Sequence, residues 1–287
     1  MTFSSLSKWV IDATEDKSEL QLRQAIHTTL QAISVSSTLR PGMLIKGGIL
    51  LAIHYGSDRY TRDIDFSTDQ LHAHFDEESF MDELNSQLAD AVQELGYQLD
   101  CRVQGKKLKP REGATYPTLE IRIGHAYLGS SQHMRLVKNR STKVLKIDYS
   151  FNEHQAHEPI SINIGDAGVV CAYSLPDLLG EKYRALLQQE LRNRVRSQDV
   201  FDINMLLANN NLNIESDDSL RVDVHKSLVT KSNSRDIKIS NVSMRDQQLK
   251  ERSRTAYEEL RLSVGALPDF DQTYSRVQNY FESLPWD

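Results

Sequence analysis

Two aspartates separated by one residue, Asp63 and Asp65 in the run RDIDF, are the side chains of this sequence best placed to do chemistry. The run alternates as a strand does, and a period of two turns both carboxylates to one face while Ile64 turns to the other. Such a pair is a hard oxygen donor set. Magnesium commonly takes one or two carboxylates and completes its shell with phosphate oxygens, so the pair could position a triphosphate for in-line attack. A D-x-D run alone is equally what a strand edge with solvated acids would show. Upstream, MLIKGGILLAIHYG carries Gly47 and Gly48 between a short apolar run and an apolar periodic segment, the pattern of strand, glycine turn and helix. Glycines permit close backbone approach, and the helix that follows can aim free N–H groups at a phosphate. The segment has neither the GxxxxGK[ST] order of a P-loop nor a three-glycine dinucleotide fingerprint.

These residues need a scaffold, and the remaining periodicities supply one. From Ser18 to Leu39, Leu20, Ala25, Ile26, Leu30 and Ile33 recur at mostly helical spacing, which predicts an N-terminal helix ended by Pro41-Gly42. Phe80 to Leu95 has the spacing of an amphipathic helix closed by Gly96. QLDCRVQ, TLEIRIG and STKVLKIDYSF alternate polar and apolar residues as half-buried strands, expected to join RDIDF in a sheet, and GVVCAYS reads as a further strand. The pattern changes at Ser174-Leu175-Pro176, after which LPDLLGEKYRALLQQELRNR and SQDVFDINMLLANN read as helices. Ser216 to Asp246 is rich in Ser, Asn, Asp, Lys and Arg and is expected to form a long excursion or mobile segment. The expected fold is α+β: a mixed sheet with flanking helices over residues 1–172, then a mainly α-helical lobe over 173–287 that contributes to the active-site cleft.

Bulk properties permit a folded enzyme. In 287 residues, 39% hydrophobic and 26% charged side chains exclude an extensively disordered chain, and a net charge of −6 disfavours passive wrapping of nucleic acid. Cys101 and Cys171 form neither a metal knuckle nor a disulfide scaffold, and no leader or membrane span is recognisable, so a cytoplasmic protein is expected. His72 and His74 lack zinc-spaced companions and read as a solvated loop. Lys106, Lys107, Lys109 and Arg111, near Tyr116, read as a solvated loop that could alternatively guide an RNA backbone.

Taken together, KGGILLAIHYGSDRYTRDIDF resembles the first motif of the AbiEii/AbiGii toxin family of nucleotidyltransferases, within the DNA polymerase β-like superfamily, and R-x-T-x-D-I-D, Arg59 through Asp65, matches it in full. Where that family usually has Ser or Thr after the paired glycines, this chain has Ile49. KIDYSF places Asp148 at the position of a third superfamily carboxylate, able to complete a metal site or act as base. LPDLLGEKYRALL resembles the family's E-K helix, on which Glu181 and Lys182 would open toward the cleft. RVRSQDVFDI is similar to an R-x-x-D-x-x-D pattern through Arg196, Asp199 and Asp202, whose spacing aligns the acids on one helix face. The matches run in order from about residue 40 to 207.

The resemblance implies a nucleotidyltransferase-like sheet. It further implies Mg2+, or Mn2+, at Asp63, Asp65 and Asp148, and a nucleotide held by Gly47, Gly48, Arg59, Thr61 and Lys182. Asp199 would support the site by pairing with Lys182, and Asp202 would be structural. The implied reaction moves a nucleoside monophosphate from an NTP to an acceptor, releasing pyrophosphate. The implied setting is the toxin of a toxin–antitoxin or phage-defence pair, with a cognate antitoxin and with tRNA, another RNA or a protein as acceptor. Alternatives are a small-molecule, antibiotic-type nucleotidyltransferase, or a nucleotide-binding protein whose catalysis is reduced by Ile49.

Overall fold

In the computed structural model, which describes residues 6–110, 114–165 and 168–286, a short helix α1 (Leu6–Ile11) leads into α2 (Lys17–Val35). Asp16 starts α2 by accepting hydrogen bonds from the N–H groups of Ser18 and Glu19, which the first turn cannot satisfy itself. The single helix expected to reach Leu39 is divided: α2 stops at Val35, and α3 (Leu39–Gly42) is a separate turn containing Pro41. The strand, glycine turn and helix then follow as β1 (Leu44–Lys46) and α4 (Gly47–His54), and RDIDF supplies β2 (Asp63–Ser67). Helix α5 (Glu77–Leu95) is capped by Asp76 and stopped by Gly96 in the left-handed region. After it come β3 (Leu99–Lys109), β4 (Thr118–Tyr127), α6 (Ser131–Val137), β5 (Val144–Ser150), β6 (Ile160–Asn163) and β7 (Val169–Ala172). Because β3 runs on to Lys109, Lys106, Lys107 and Lys109 belong to a strand and not to the expected loop; Arg111 lies outside the described residues.

The strands form one mixed sheet in the order β3-β4-β5-β2-β1-β7-β6. Strand β2 is parallel to β5 and antiparallel to β1, and β4 is antiparallel to β5. Alternation divides the sheet into two unlike faces. Ile64, Phe66, Leu119, Ile121, Ile147 and Tyr149 are buried on one of them. Helices α2 and α5 pack on each other and against β3 on this apolar side. The opposite face carries charge, and the site lies there.

Past β7 the chain is helical: α7 (Leu175–Leu187), α8 (Gln189–Arg192), α9 (Ser197–Ala208), α10 (Asp218–Asn233), α11 (Gln247–Thr255) and α12 (Phe270–Glu282). Ser174 caps α7, with a proline in its first turn. Helix α10 replaces the excursion expected between Ser216 and Asp246. It packs on α7 through small residues: a Cβ added at Gly180 would lie 2.5 Å from Ser227 Oγ, so the two backbones meet too closely for larger side chains. Among the described residues no helix is long and apolar enough to cross a membrane.

Candidate active site

Register assembles the charged face. Lys46 pairs with Asp65, Asp65 with Asp148, and Asp148 with Glu120, so one row of four ionisable side chains crosses β1, β2, β5 and β4. Asp63 and Lys146 stand opposite each other in the next row. Lys146 Nζ lies 3.3 Å from Asp63 Oδ2 and 4.0 Å from oxygens of Asp148 and Glu120, so an ammonium faces three acids. Burial pushes the Asp65 carboxyl up to about 6; Asp148, Glu181 and Asp63 add to the rise, and Lys46 opposes it. Burial also raises Asp148, against the pull of Lys146 and Lys109. Asp148 Oδ1 is buried without a hydrogen-bond partner among the described residues.

Partly desolvated carboxylates that repel one another, with an oxygen left unpaired, are the arrangement a divalent cation relieves. No group of three His, Cys, Asp or Glu among the described residues closes on a metal position. The donor set still fits magnesium, which usually completes a shell of one or two carboxylates with water and substrate phosphate. Asp63 and Asp65 are the pair, with Asp148 adjacent.

The paired glycines serve this acid directly. Gly47 has φ +69°, and a Cβ there would lie 2.3 Å from Asp65 Oδ2; one at Gly48 would lie 2.8 Å from Thr61 Oγ1 and 3.1 Å from Arg59 Nη2. Only glycines let Asp65, Thr61 and Arg59 come together at the start of α4. Lys46, at its N-cap, makes no side-chain cap hydrogen bond, so among the described residues no N-cap side chain competes with an anion for the first N–H groups. Ile49 is fully buried in the core, and any phosphate contact at this turn falls to backbone.

Behind the turn, two buried ion networks join the sheet to α7 and α9. Lys182 is 6% exposed and does not open freely toward a cleft as expected: its Nζ donates to Asp199 Oδ1 at 3.0 Å and to Asp202 Oδ2 at 2.6 Å. Arg59 donates through Nε and Nη2 to the two oxygens of Asp202, at 2.7 and 2.9 Å. Burial would lower the Lys182 pKa, but Asp202 and Asp199 outweigh it and hold the ammonium above its ordinary range. Arg196 approaches Asp199 from the other side, at 3.9 Å. In the second network Lys46 Nζ donates to Glu181 Oε1 at 3.1 Å. Burial would raise Glu181, yet Lys46, Lys231 and Arg184 bring it far below the usual carboxylate range.

Lys46, Glu120 and Lys146 escape the motif reading, although each carries a signal in its strand. Counting by twos from Asp148 in KVLKIDYS reaches Lys146, and Lys46 directly precedes the glycine turn. His72 and His74 fall in a single helical turn, with His72 packed edge-on against Phe151, and hold no metal cluster among the described residues.

The family model for the AbiEii nucleotidyl transferase toxin of type IV toxin–antitoxin systems matches residues 28–276. No curated protein matches the chain. Among solved structures, a Helicobacter pylori protein described as a nucleotidyltransferase aligns at a TM-score of 0.54 with 12% identity over 94% of this chain and 95% of that one. JHP933, also from Helicobacter pylori, aligns at 0.50 with 12% identity over 94% and 92%. At these identities the likeness is one of fold. Because that family model covers residues 28–276, most of the chain, the chain belongs to the AbiEii nucleotidyl transferase toxin family and is a nucleotidyltransferase.

Proposed function

We propose that this enzyme moves a nucleoside monophosphate from an NTP to a hydroxyl of an RNA acceptor, and that a cognate antitoxin restrains it. The observation that carries the reading is the Asp65–Asp148 pairing beside Asp63, set against the uncapped start of α4 at Gly47. Asp63 and Asp65 would hold magnesium or manganese, which when bound would supply charge screening of the triphosphate and polarise the phosphate under attack. Gly47, Gly48 and the first N–H groups of α4 receive phosphate oxygens. Thr61 and Arg59 border that turn, and Lys182 and Arg59, held in place by Asp199 and Asp202, keep positive charge behind it for the developing pyrophosphate. The acceptor oxygen forms a bond to the α-phosphorus as the bond to pyrophosphate breaks. Its proton passes to Asp148, whose Oδ1 has no other partner among the described residues. Residues 1–172 and 173–287 form the two walls of the site in this reading.

The test is incubation of the full chain with each labelled NTP, magnesium and total cellular RNA plus protein, followed by separation of the products. Label is expected in the RNA fraction, with release of pyrophosphate. Label confined to protein, or to small molecules, would contradict the RNA acceptor.

A further inference from the structure

The charged face of the sheet continues past the acids onto β4 and β3, and two cations there take no part in the networks above. Lys107 pairs with Glu120, and Arg122 with Lys146, so both side chains stand on the face that carries Asp65 and Asp148. A bulge shifts β3 between Val103 and Gly105, and Gly105 then stands opposite Arg122. A Cβ at Gly105 would lie 3.0 Å from Nη2 and 3.8 Å from Cζ of Arg122, so the guanidinium rests over Gly105, on the strand that carries Lys107. Farther along β4, a Cβ at Gly124 would lie 2.7 Å from Leu136 of α6, and that helix closes the face at this end. Lys106 pairs with Glu77, Lys109 with Glu120 and Lys146 with Asp63, whereas Lys107 and Arg122 are exposed and form no ion pair among the described residues.

Strand order fixes where these cations stand relative to the reaction. Across the sheet come the glycine turn at the end of β1, Asp65 on β2, Asp148 on β5, Arg122 on β4 and Lys107 on β3. Neighbouring strands lie about 4.8 Å apart, which puts β3 about 10 Å from β5. In an in-line displacement the attacking and leaving oxygens lie on opposite sides of the phosphorus. With pyrophosphate leaving at the glycine turn, the acceptor enters from the β4 and β3 side, past Arg122 and Lys107.

We propose that Arg122 and Lys107 form an anion subsite for the phosphodiester next to the terminal hydroxyl of a single-stranded RNA acceptor, and so deliver that hydroxyl to Asp148. This rests on the RNA-acceptor reading above. A guanidinium fork binds phosphate through two parallel hydrogen bonds, and Gly105 gives the fork a fixed seat; the lysine adds a point charge beside it. A neutral hydroxyl on a protein surface would leave both cations unmet.

The test uses the full chain, Arg122→Gln, Lys107→Gln and, as comparator, Lys106→Gln. The comparator removes the same charge one residue away, on the opposite face of β3, where Lys106 meets Glu77 of α5. Binding of a 5′-fluorescein single-stranded RNA with a free 3′ hydroxyl is followed by anisotropy over a salt series without NTP, and binding of labelled NTP is measured separately. Arg122→Gln and Lys107→Gln are each expected to bind the RNA at least about threefold more weakly, with a salt slope shallower by about 0.7, the value per neutralised phosphate of a single strand. Lys106→Gln should match wild type, and NTP binding and the melting temperature should stay unchanged in all three. Wild-type RNA affinity and slope in Arg122→Gln and Lys107→Gln, or no measurable RNA binding by wild type, would overturn the subsite. An equal loss in Lys106→Gln would overturn it too, since the face of the strand would then not matter, and so would a matching loss of NTP binding, which would assign the cations to the nucleotide's own phosphates. Transfer of label to protein by the wild-type enzyme would instead overturn the RNA-acceptor reading, while the anisotropy series still decides whether the two cations hold RNA.

Discussion

At the scale of single residues, Gly47 ties the backbone to the chemistry. Its left-handed conformation and the 2.3 Å between a would-be Cβ and Asp65 Oδ2 are separate constraints, and Gly56 separates them, having φ +72° but nothing within 4 Å. Gly47→Ala and Gly56→Ala should therefore both lose stability, by roughly 1–3 kcal/mol for the backbone strain. Only Gly47→Ala should also lose transfer activity, by about a hundredfold, because Asp65 must shift to admit the methyl group. Thermal melts and a labelled-NTP assay on the two variants check this; equal activities would show that Asp65 tolerates the displacement. The placement of the acid pair on one strand face and of the glycine turn before a helix was legible from spacing, since period two and a paired glycine are local patterns; their shared role came only with the family resemblance. The Lys182–Asp199 pair was expected only through the family resemblance and is present at 3.0 Å, whereas Asp202 as the second partner was not legible: it lies 20 residues away, and only the packing of α9 on α7 brings it within reach.

At the scale of elements, Asp202 is the tie. On α9 and fully buried, it bonds at once to Lys182 on α7 and to Arg59 in the segment before β2. Removing one member of a buried pair leaves the others charged and unmatched. Asp202→Ala should thus cost about 3–5 kcal/mol, read as a reduced midpoint in denaturant, and far more than Asp63→Ala at the partly exposed strand position. Equal losses would mean that Asp202 is not the joint described. Strands β2, β4 and β5 and helix α5 could be read from alternation, helical spacing and the stop at Gly96, whereas the single helix read over LPDLLGEKYRALLQQELRNR is divided into α7 and α8 at Gln188. Helix α10 could not, because its buried side includes Ser227, Lys231 and Ser232, chosen for close approach to Gly180 and for ion pairing to Asp177. Polar composition there masks a packed helix.

At the scale of the whole molecule, charge and burial make stability depend on pH. Burial lowers His27 and His125 to about 4, His125 with a further push from Lys143, so both are held neutral in the fold. The unfolded chain binds protons at these positions near pH 6.5, more readily than the folded one. Their contribution is therefore fully present above pH 6.5 and is lost as pH falls toward 4, at about 1.4 kcal/mol per pH unit for each histidine. Melting temperature should fall over that window, and His27→Gln/His125→Gln should flatten the dependence whatever its absolute stability. A variant curve parallel to wild type would mean that other groups dominate. The acids on the open face of the sheet are tested most directly by nucleotide transfer across a magnesium titration for wild type and Asp65→Asn, with a thermal melt of each. Wild type is expected to depend on the cation, and Asp65→Asn to lose at least about a hundredfold at every magnesium concentration while melting within a few degrees of wild type, since a lost metal ligand forfeits several kcal/mol of charge stabilisation. Full activity in Asp65→Asn, with an unchanged response to magnesium, would contradict the account.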